Sequence, residues 1–237
     1  MSTVLVTGSN RGLGLEFVRQ YAADNWRVHA CCRNPQAAAE LQALAKSYQP
    51  LIEIHELDVT DFAAIDALAD RLRGTAIDVL INNAGVYGPK VRSENDPRQQ
   101  FGMMDYDIWS MVIRTNTMGP LKMAEAFIEH VAMSEQKKLV YISSSLGSIA
   151  RTDGGTYAYR SSKAAGNMVM ATLARDVASR GISVLIFCPG WVKTAMGGKH
   201  ALLEASDSVR HVRQLIAEAT IEQSGRFIHY DGEPLPW

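Results

Sequence analysis

Tyr159 and Lys163 stand four residues apart in the segment Tyr157-Ala158-Tyr159-Arg160-Ser161-Ser162-Lys163, a spacing that puts two side chains on one face of a helix. Ala164, Ala165, Met168, Val169, Ala171 and Leu173 continue the helical period. A phenol titrates near pH ~10, and a neighbouring ammonium group favours the phenolate, so such a pair is an acid and base tuned toward neutrality. The same spacing also arises by chance on exposed helices, where it does nothing. Its chemistry therefore depends on what the rest of the chain builds around it.

Val4-Leu5-Val6 is a short buried-strand signal running into Thr7-Gly8-Ser9-Asn10-Arg11-Gly12-Leu13-Gly14, and Leu15, Phe17, Val18 and Tyr21 then take helical spacing. A strand, a glycine-rich turn and a helix in that order suit a dinucleotide pyrophosphate, which needs a tight turn, close backbone N–H groups and a helix start packed on the sheet. Arg27-Val28-His29-Ala30-Cys31-Cys32 is a second strand. Arg33 follows it, where an NAD site usually carries an acidic residue for the ribose hydroxyls. Arg33 and Arg11 together suit a 2′-phosphate, which favours NADP(H) over NAD(H).

Helices are predicted over Pro35–Tyr48 and Asp61–Leu72, with Asp61 as N-cap, and strands over Leu51–Leu57 and Ile77–Ile81. The alternation implies an α/β fold, a parallel sheet covered on both faces. Asp58 and Val59 fall at the ligand-binding carboxyl edge, where Asp58 is either an adenine acceptor or a cap. Asn82-Asn83-Ala84-Gly85 ends the fourth strand, with room for a flat cofactor beside Ala84 and Gly85. Tyr87–Gln100 reads as a mobile surface loop and Tyr106–Met133 as one long helix that buries Asn116. On its own, a buried asparagine reads as structural.

A fifth strand, Lys138–Ile142, runs into Ser143-Ser144-Ser145, and a sixth, Ser183–Phe187, runs into Cys188-Pro189-Gly190. Residues 191–206 are expected to form a substrate loop with Gly197 and Gly198. A helix over Asp207–Gln223 and a strand over Gly225–Ile228 complete the pattern.

With 237 residues and no linker-like tract, one domain over 1–237 is expected. A formal net charge of −1 with scattered basic residues gives no reason to expect nucleic acid or a membrane surface as partner. Cys31, Cys32 and Cys188 have neither a disulfide nor a metal-ligand spacing, so no metal is expected. The chain begins without a basic leader or a long apolar run. A reducing, cytoplasmic compartment is the expectation.

Taken together, these motifs resemble the short-chain dehydrogenase/reductase family in its compact one-domain branch, at Thr7–Gly14, Asn82–Gly85, Asn116, Ser143-Ser144 with Gly147, and Tyr159 with Lys163. The tail from Phe227 to Trp237 is similar to that of carbonyl reductases of the sniffer and C-factor type. The resemblance implies a Rossmann-type, doubly wound parallel sheet of about seven strands and an NADPH-dependent reduction of an aldehyde, ketone or quinone. Tyr159 would act as the proton donor. Lys163 would lower its pKa and hold the nicotinamide ribose, Ser144 would hold the substrate oxygen, and Asn116 would position a water.

For the cofactor it implies Gly8, Ser9, Asn10, Arg11, Gly12, Leu13 and Gly14 around the phosphates, and Arg33 with Arg11 at the 2′-phosphate. Asp58 and Val59 would take the adenine, and Asn82, Ala84 and Gly85 the adjacent ribose. Pro189, Gly190, Val192 and Thr194 would flank the nicotinamide, with Tyr159 and Lys163 beside it. The stretch between serine and tyrosine is longer than is usual in the family, which leaves Ser145 as an alternative to Ser144. Met103, Met104, Leu146, Trp191, Met196 and Trp237 are candidates for an apolar pocket. A homodimer or tetramer is implied, paired through the two long helices. Two other functions fit the same motifs: an NADP(H)-binding regulatory protein with little turnover, and an alcohol dehydrogenase working oxidatively.

Overall fold

Short runs of branched residues bounded by turn residues become strands, the central ones buried on both faces. The strands are β1 (Thr3–Thr7), β2 (Arg27–Cys32), β3 (Ile52–Glu56), β4 (Val79–Asn82), β5 (Lys138–Ile142), β6 (Ser183–Cys188) and β7 (Phe227–His229). In the computed structural model, which describes residues 1–90 and 95–237, they form one parallel sheet in the order β3-β2-β1-β4-β5-β6-β7. The order reverses between β1 and β4, and a sheet of this kind opens its ligand crevice there, beyond the carboxyl ends of the strands.

The helices are α1 (Gly12–Ala23), α2 (Ala39–Ser47), α3 (Phe62–Arg71), α4 (Tyr106–Ile113), α5 (Gly119–Ala132), α6 (Tyr157–Asp176) and α7 (Ala205–Glu218). Apolar stripes such as Leu15, Phe17 and Val18 of α1, Leu41 and Leu44 of α2, and Val209, Val212 and Ile216 of α7 cover one face of the sheet. Ile65 and Leu68 of α3, Met123 and Phe127 of α5, and Met170 and Ala174 of α6 cover the other. Among the described residues, no helix is long and apolar enough to cross a membrane.

Asp61 caps α3 as expected, its carboxylate accepting the Ala64 N–H at 3.0 Å. Other elements differ from the sequence reading. The predicted Pro35–Tyr48 helix opens as a 3-10 turn, Pro35–Ala37, capped by the Asn34 side chain. The predicted Asp207–Gln223 helix ends at Glu218, and Ile221–Gln223 forms a separate turn closed by a Thr220–Gln223 capping box.

The long helix is broken by a π-helical turn over Arg114–Met118. Pro120 has no N–H to give the Asn116 carbonyl four residues earlier, and the Tyr141 hydroxyl donates to that carbonyl instead, at 2.9 Å. Of the predicted loop Tyr87–Gln100, residues 91–94 lie outside the described residues, and Gln99 is fully buried rather than on the surface.

Candidate active site

The glycine turn is stitched to the end of β4. Thr7 Oγ1 accepts the N–H groups of Asn83 at 3.1 Å and Ala84 at 3.0 Å, while Asn83 Nδ2 donates to the carbonyls of Thr7 at 2.9 Å and Gly8 at 3.2 Å. Asn83 is thus a brace between the two strands that flank the crevice. A Cβ on Gly14 would lie 2.1 Å from the Gly8 carbonyl oxygen, so α1 starts flush against the turn. Gly8, at φ +69°, would place a Cβ 2.9 Å from Ala84 Cα. Ser9 turns inward and donates its hydroxyl to the Val6 carbonyl at 2.7 Å, which removes its side chain from the crevice. Asn10 and Arg11 are exposed at the turn, Gly12 packs on Thr194, and Leu13 is half-buried.

Arg33 lies just past β2, whose Cys31 pairs in register with Thr7 and accepts the Ser9 N–H at its carbonyl. Arg11 and Arg33 are both exposed at this edge, and among the described residues neither forms an ion pair. One oxygen of Asp58 is committed to the backbone N–H and hydroxyl of Thr60, both at 2.8 Å. Val59 is buried against Gly119, and Asn82 is buried with its amide 3.4 Å from the Pro120 carbonyl. A Cβ at Gly85 would lie 3.3 Å from Asn116 Oδ1 and 3.7 Å from Lys163 Nζ. Glycine here leaves that corner open.

Tyr159 and Lys163 are both buried on the inner face of α6. The ammonium donates to the Ile142 carbonyl at 2.8 Å and lies 5.9 Å from the centre of the Tyr159 ring. Burial brings the Lys163 pKa down to about 7. Burial also pushes the Tyr159 phenol above its ordinary value; the neighbouring Ser144 hydroxyl opposes the rise, and Cys188 and Tyr87 add to it. Desolvation is the largest influence on both groups.

Ser144 adjoins the phenol, and its hydroxyl accepts the Leu146 N–H at 3.2 Å. The neighbouring Ser145 opens a 3-10 turn, and its N–H points to Cys188 Sγ. Gly147 lets this turn rest on α6, where an added Cβ would meet Lys163 Cβ at 2.9 Å.

Asn116 is fully buried. Its amide donates to the Val86 carbonyl at 2.8 Å and the Ser162 hydroxyl at 2.9 Å, and its Oδ1 accepts the Val86 N–H at 2.8 Å. Both amide hydrogens are used in pinning the π turn to the loop after β4 and to α6. Only acceptor lone pairs remain for a water.

Beyond β6, the Pro189 carbonyl accepts the Ser208 hydroxyl at 2.6 Å, and a Cβ at Gly190 would collide with Leu203 and Tyr230. Val192 is buried, and Thr194 Oγ1 accepts the Gly197 N–H at 3.1 Å. Of the apolar pocket candidates, Met196 reaches the phenol. Trp237 instead stacks on Phe227, beside a groove along α6, and Met103 is exposed.

Gln99 lies in a polar stretch that nothing in the sequence marks as part of the site. Its Oε1 accepts the Tyr159 N–H at 3.0 Å, and its Nε2 donates to the carbonyls of Tyr87 at 2.8 Å and Pro89 at 2.6 Å. Tyr159 sits in the first turn of α6, where the N–H has no partner within the helix. Gln99 is therefore a long-range cap. No local spacing signals it.

Residues 2–205 match the family model described as short chain dehydrogenase. The chain is 39% identical over 162 residues to the C-signal of Myxococcus xanthus, covering 68% of this chain and 93% of that protein. Among solved structures, the carbonyl reductase Sniffer of D. melanogaster superposes with a TM-score of 0.89 at 34% identity, over 100% of both chains. The NADPH-bound carbonyl reductase from chicken fatty liver superposes with a TM-score of 0.90 at 33% identity, over 100% of this chain and 99% of that one.

Proposed function

The chain belongs to the short-chain dehydrogenase family, and from that premise we propose that it is an NADPH-dependent reductase of small, largely apolar aldehydes, ketones or quinones. The observation that carries this reading is the buried Tyr159 phenol, with Ser144 beside it and Lys163 one helical turn on, at the carboxyl edge of the sheet. The donor set fits an NADP-type cofactor: two exposed arginines at the edge of β1 and β2, a glycine turn at the switch point, and an open corner at Gly85. Arg11 and Arg33 would hold the 2′-phosphate. The backbone of Gly8–Gly14 would hold the pyrophosphate, and Lys163 the nicotinamide ribose. The likeness to an NADPH-bound carbonyl reductase supports the same choice.

The cofactor supplies the hydride, and this chain's residues manage the proton. Ser144 holds the substrate oxygen, and Tyr159 donates its phenolic proton to that oxygen as the alkoxide forms. Burial keeps the phenol protonated in the resting site, the state from which a reduction starts. Oxidation of an alcohol would run through the same residues in reverse. Asn116 keeps the π turn, and with it the Gly85 corner, in place.

The homo-oligomer belongs to the same reading, with Ala164, Met168 and Ala171 of α6 lining a groove that would face a second copy. So does a cytoplasmic location, supported by three free, buried cysteines.

The likeness to the C-signal favours a second reading, an NADP(H)-binding signalling protein with little turnover. NADPH oxidation measured against quinones, aromatic aldehydes and diketones, with Tyr159→Phe in parallel, separates the two. Turnover that falls by roughly 10²–10⁴-fold in the variant, with NADPH binding retained, supports the reductase. If NADPH binds, no carbonyl is reduced and the variant behaves like the parent, the signalling reading replaces it.

A further inference from the structure

Away from the crevice, three side chains converge at the outer edge of the sheet. His29 on β2 pairs in register with Glu53 on β3, and His55 follows two residues later, so all three share one face. His29 Nδ1 lies 2.9 Å from His55 Nε2. The Glu53 carboxylate stands 3.6 Å from the first nitrogen and 3.8 Å from the second. Both imidazoles are buried, whereas the Glu53 side chain is 62% exposed and opens the cluster to solvent.

Hydrogen bonding satisfies this cluster poorly. The two facing nitrogens share one proton between them, the carboxylate is beyond hydrogen-bond reach of either, and His29 Nε2 is buried without a partner among the described residues. A neutral imidazole offers a lone pair to a metal. In a tetrahedral zinc site with bonds of ~2.0–2.1 Å, neighbouring ligand atoms are about 3.3 Å apart. The three separations, taken to Glu53 Oε2 for His29 and to Oε1 for His55, bracket that value.

We propose that His29 Nδ1, His55 Nε2 and the Glu53 carboxylate form a binding site for Zn²⁺ or a similar late first-row dication, with the fourth position open to solvent beside Glu53. Two imidazoles and one carboxylate suit such an ion. A bound ion would tie β3 to β2, the strands whose carboxyl ends lead into Asp58 and Arg33. Absence of a metal was the expectation from the cysteines alone. Strand register, rather than sequence spacing, brings these ligands together.

The test is titration of zinc chloride into the tag-free full-length chain, followed by imidazole ¹⁵N resonances and thermal melting. The expected result is one zinc per chain, shifts at Nδ1 of His29 and Nε2 of His55, and a melting temperature that rises with zinc. Glu53→Gln alters an exposed group and keeps the fold, and it should weaken zinc by roughly tenfold or more; His55→Gln should abolish the effect. Circular dichroism of both variants without zinc confirms that they fold. Failure to bind zinc, binding that leaves both histidines unshifted, or equal affinity in the parent and Glu53→Gln would each overturn the proposal. None of these readouts depends on the reductase activity.

Discussion

The phenol oxygen of Tyr159 lies 3.9 Å from the sulfur of Met196, a contact that sets the loop after β6 directly over the proposed proton donor. The loop is held by its own bonds, Trp191 Nε1 to the Gly197 carbonyl at 2.8 Å and the Lys193 N–H to the Leu203 carbonyl at 2.8 Å. Lys90 reaches across from the facing loop to the Ala195 carbonyl at 2.6 Å. A carbonyl oxygen that takes the proton must occupy the place beside the thioether. Met196→Ala should therefore remove roughly 1–2 kcal/mol of apolar contact with a bulky substrate. The expected result is a fall of about tenfold in kcat/KM for aromatic carbonyls, a smaller fall for short aldehydes, and unchanged NADPH affinity. An equal loss on every substrate would mean that Met196 only shapes the loop.

Arg33 and Arg11 carry the proposed choice between cofactors. A charge-assisted contact to a phosphate contributes about 1.5–3 kcal/mol, so Arg33→Ala should raise the Kd for NADPH by roughly 10–100-fold. NADH, which has no 2′-phosphate, should bind as before. Fluorescence titration of both cofactors checks this, and parallel weakening of the two would remove Arg33 from the 2′-phosphate site.

Much of the fold is legible in the sequence because it rests on local patterns: short apolar runs make the strands, and the glycine turn follows β1 directly. Tyr159 and Lys163 are legible for the same reason, four residues apart on one helix. The π turn leaves a fainter trace, at Pro120, whose missing N–H releases the Asn116 carbonyl. Gln99 leaves none, since its partners are backbone atoms 10, 12 and 60 residues away and its polar neighbourhood suggests an exposed loop. The depth of burial is also hidden: the four-residue spacing of Tyr159 and Lys163 does not encode the desolvation that acts most strongly on both groups.

The three hydrogen bonds of Gln99 make it a point where the loop after β4 and the start of α6 are coupled. Gln99→Leu keeps much of the volume and leaves two carbonyls and the Tyr159 N–H without partners. Each unsatisfied buried group costs about 1–3 kcal/mol, partly relieved by relaxation, so the variant should lose roughly 2–4 kcal/mol in urea unfolding. A loss below about 1 kcal/mol would show that water or a local shift replaces the cap.

Lys163 makes a prediction about stability and pH. Its pKa is about 7 in the fold and ~10.4 in an unfolded chain. Below pH 7 both states are protonated, and the fold bears the full cost of burying the charge. Between pH 7 and about 10 the unfolded state binds more protons, so the Lys163 contribution raises stability with pH, by up to ~1.4 kcal/mol per unit. Tyr159 and Cys31, both raised by burial, act in the opposite sense as their unfolded counterparts ionise. They are common to parent and variant, so the difference between the parent and Lys163→Met isolates the lysine. That difference, from urea unfolding at pH 7, 8 and 9, should shift steadily in the parent's favour as pH rises. Curves that stay parallel would show that Lys163 keeps its proton in the fold, and the burial argument for its lowered pKa would fail.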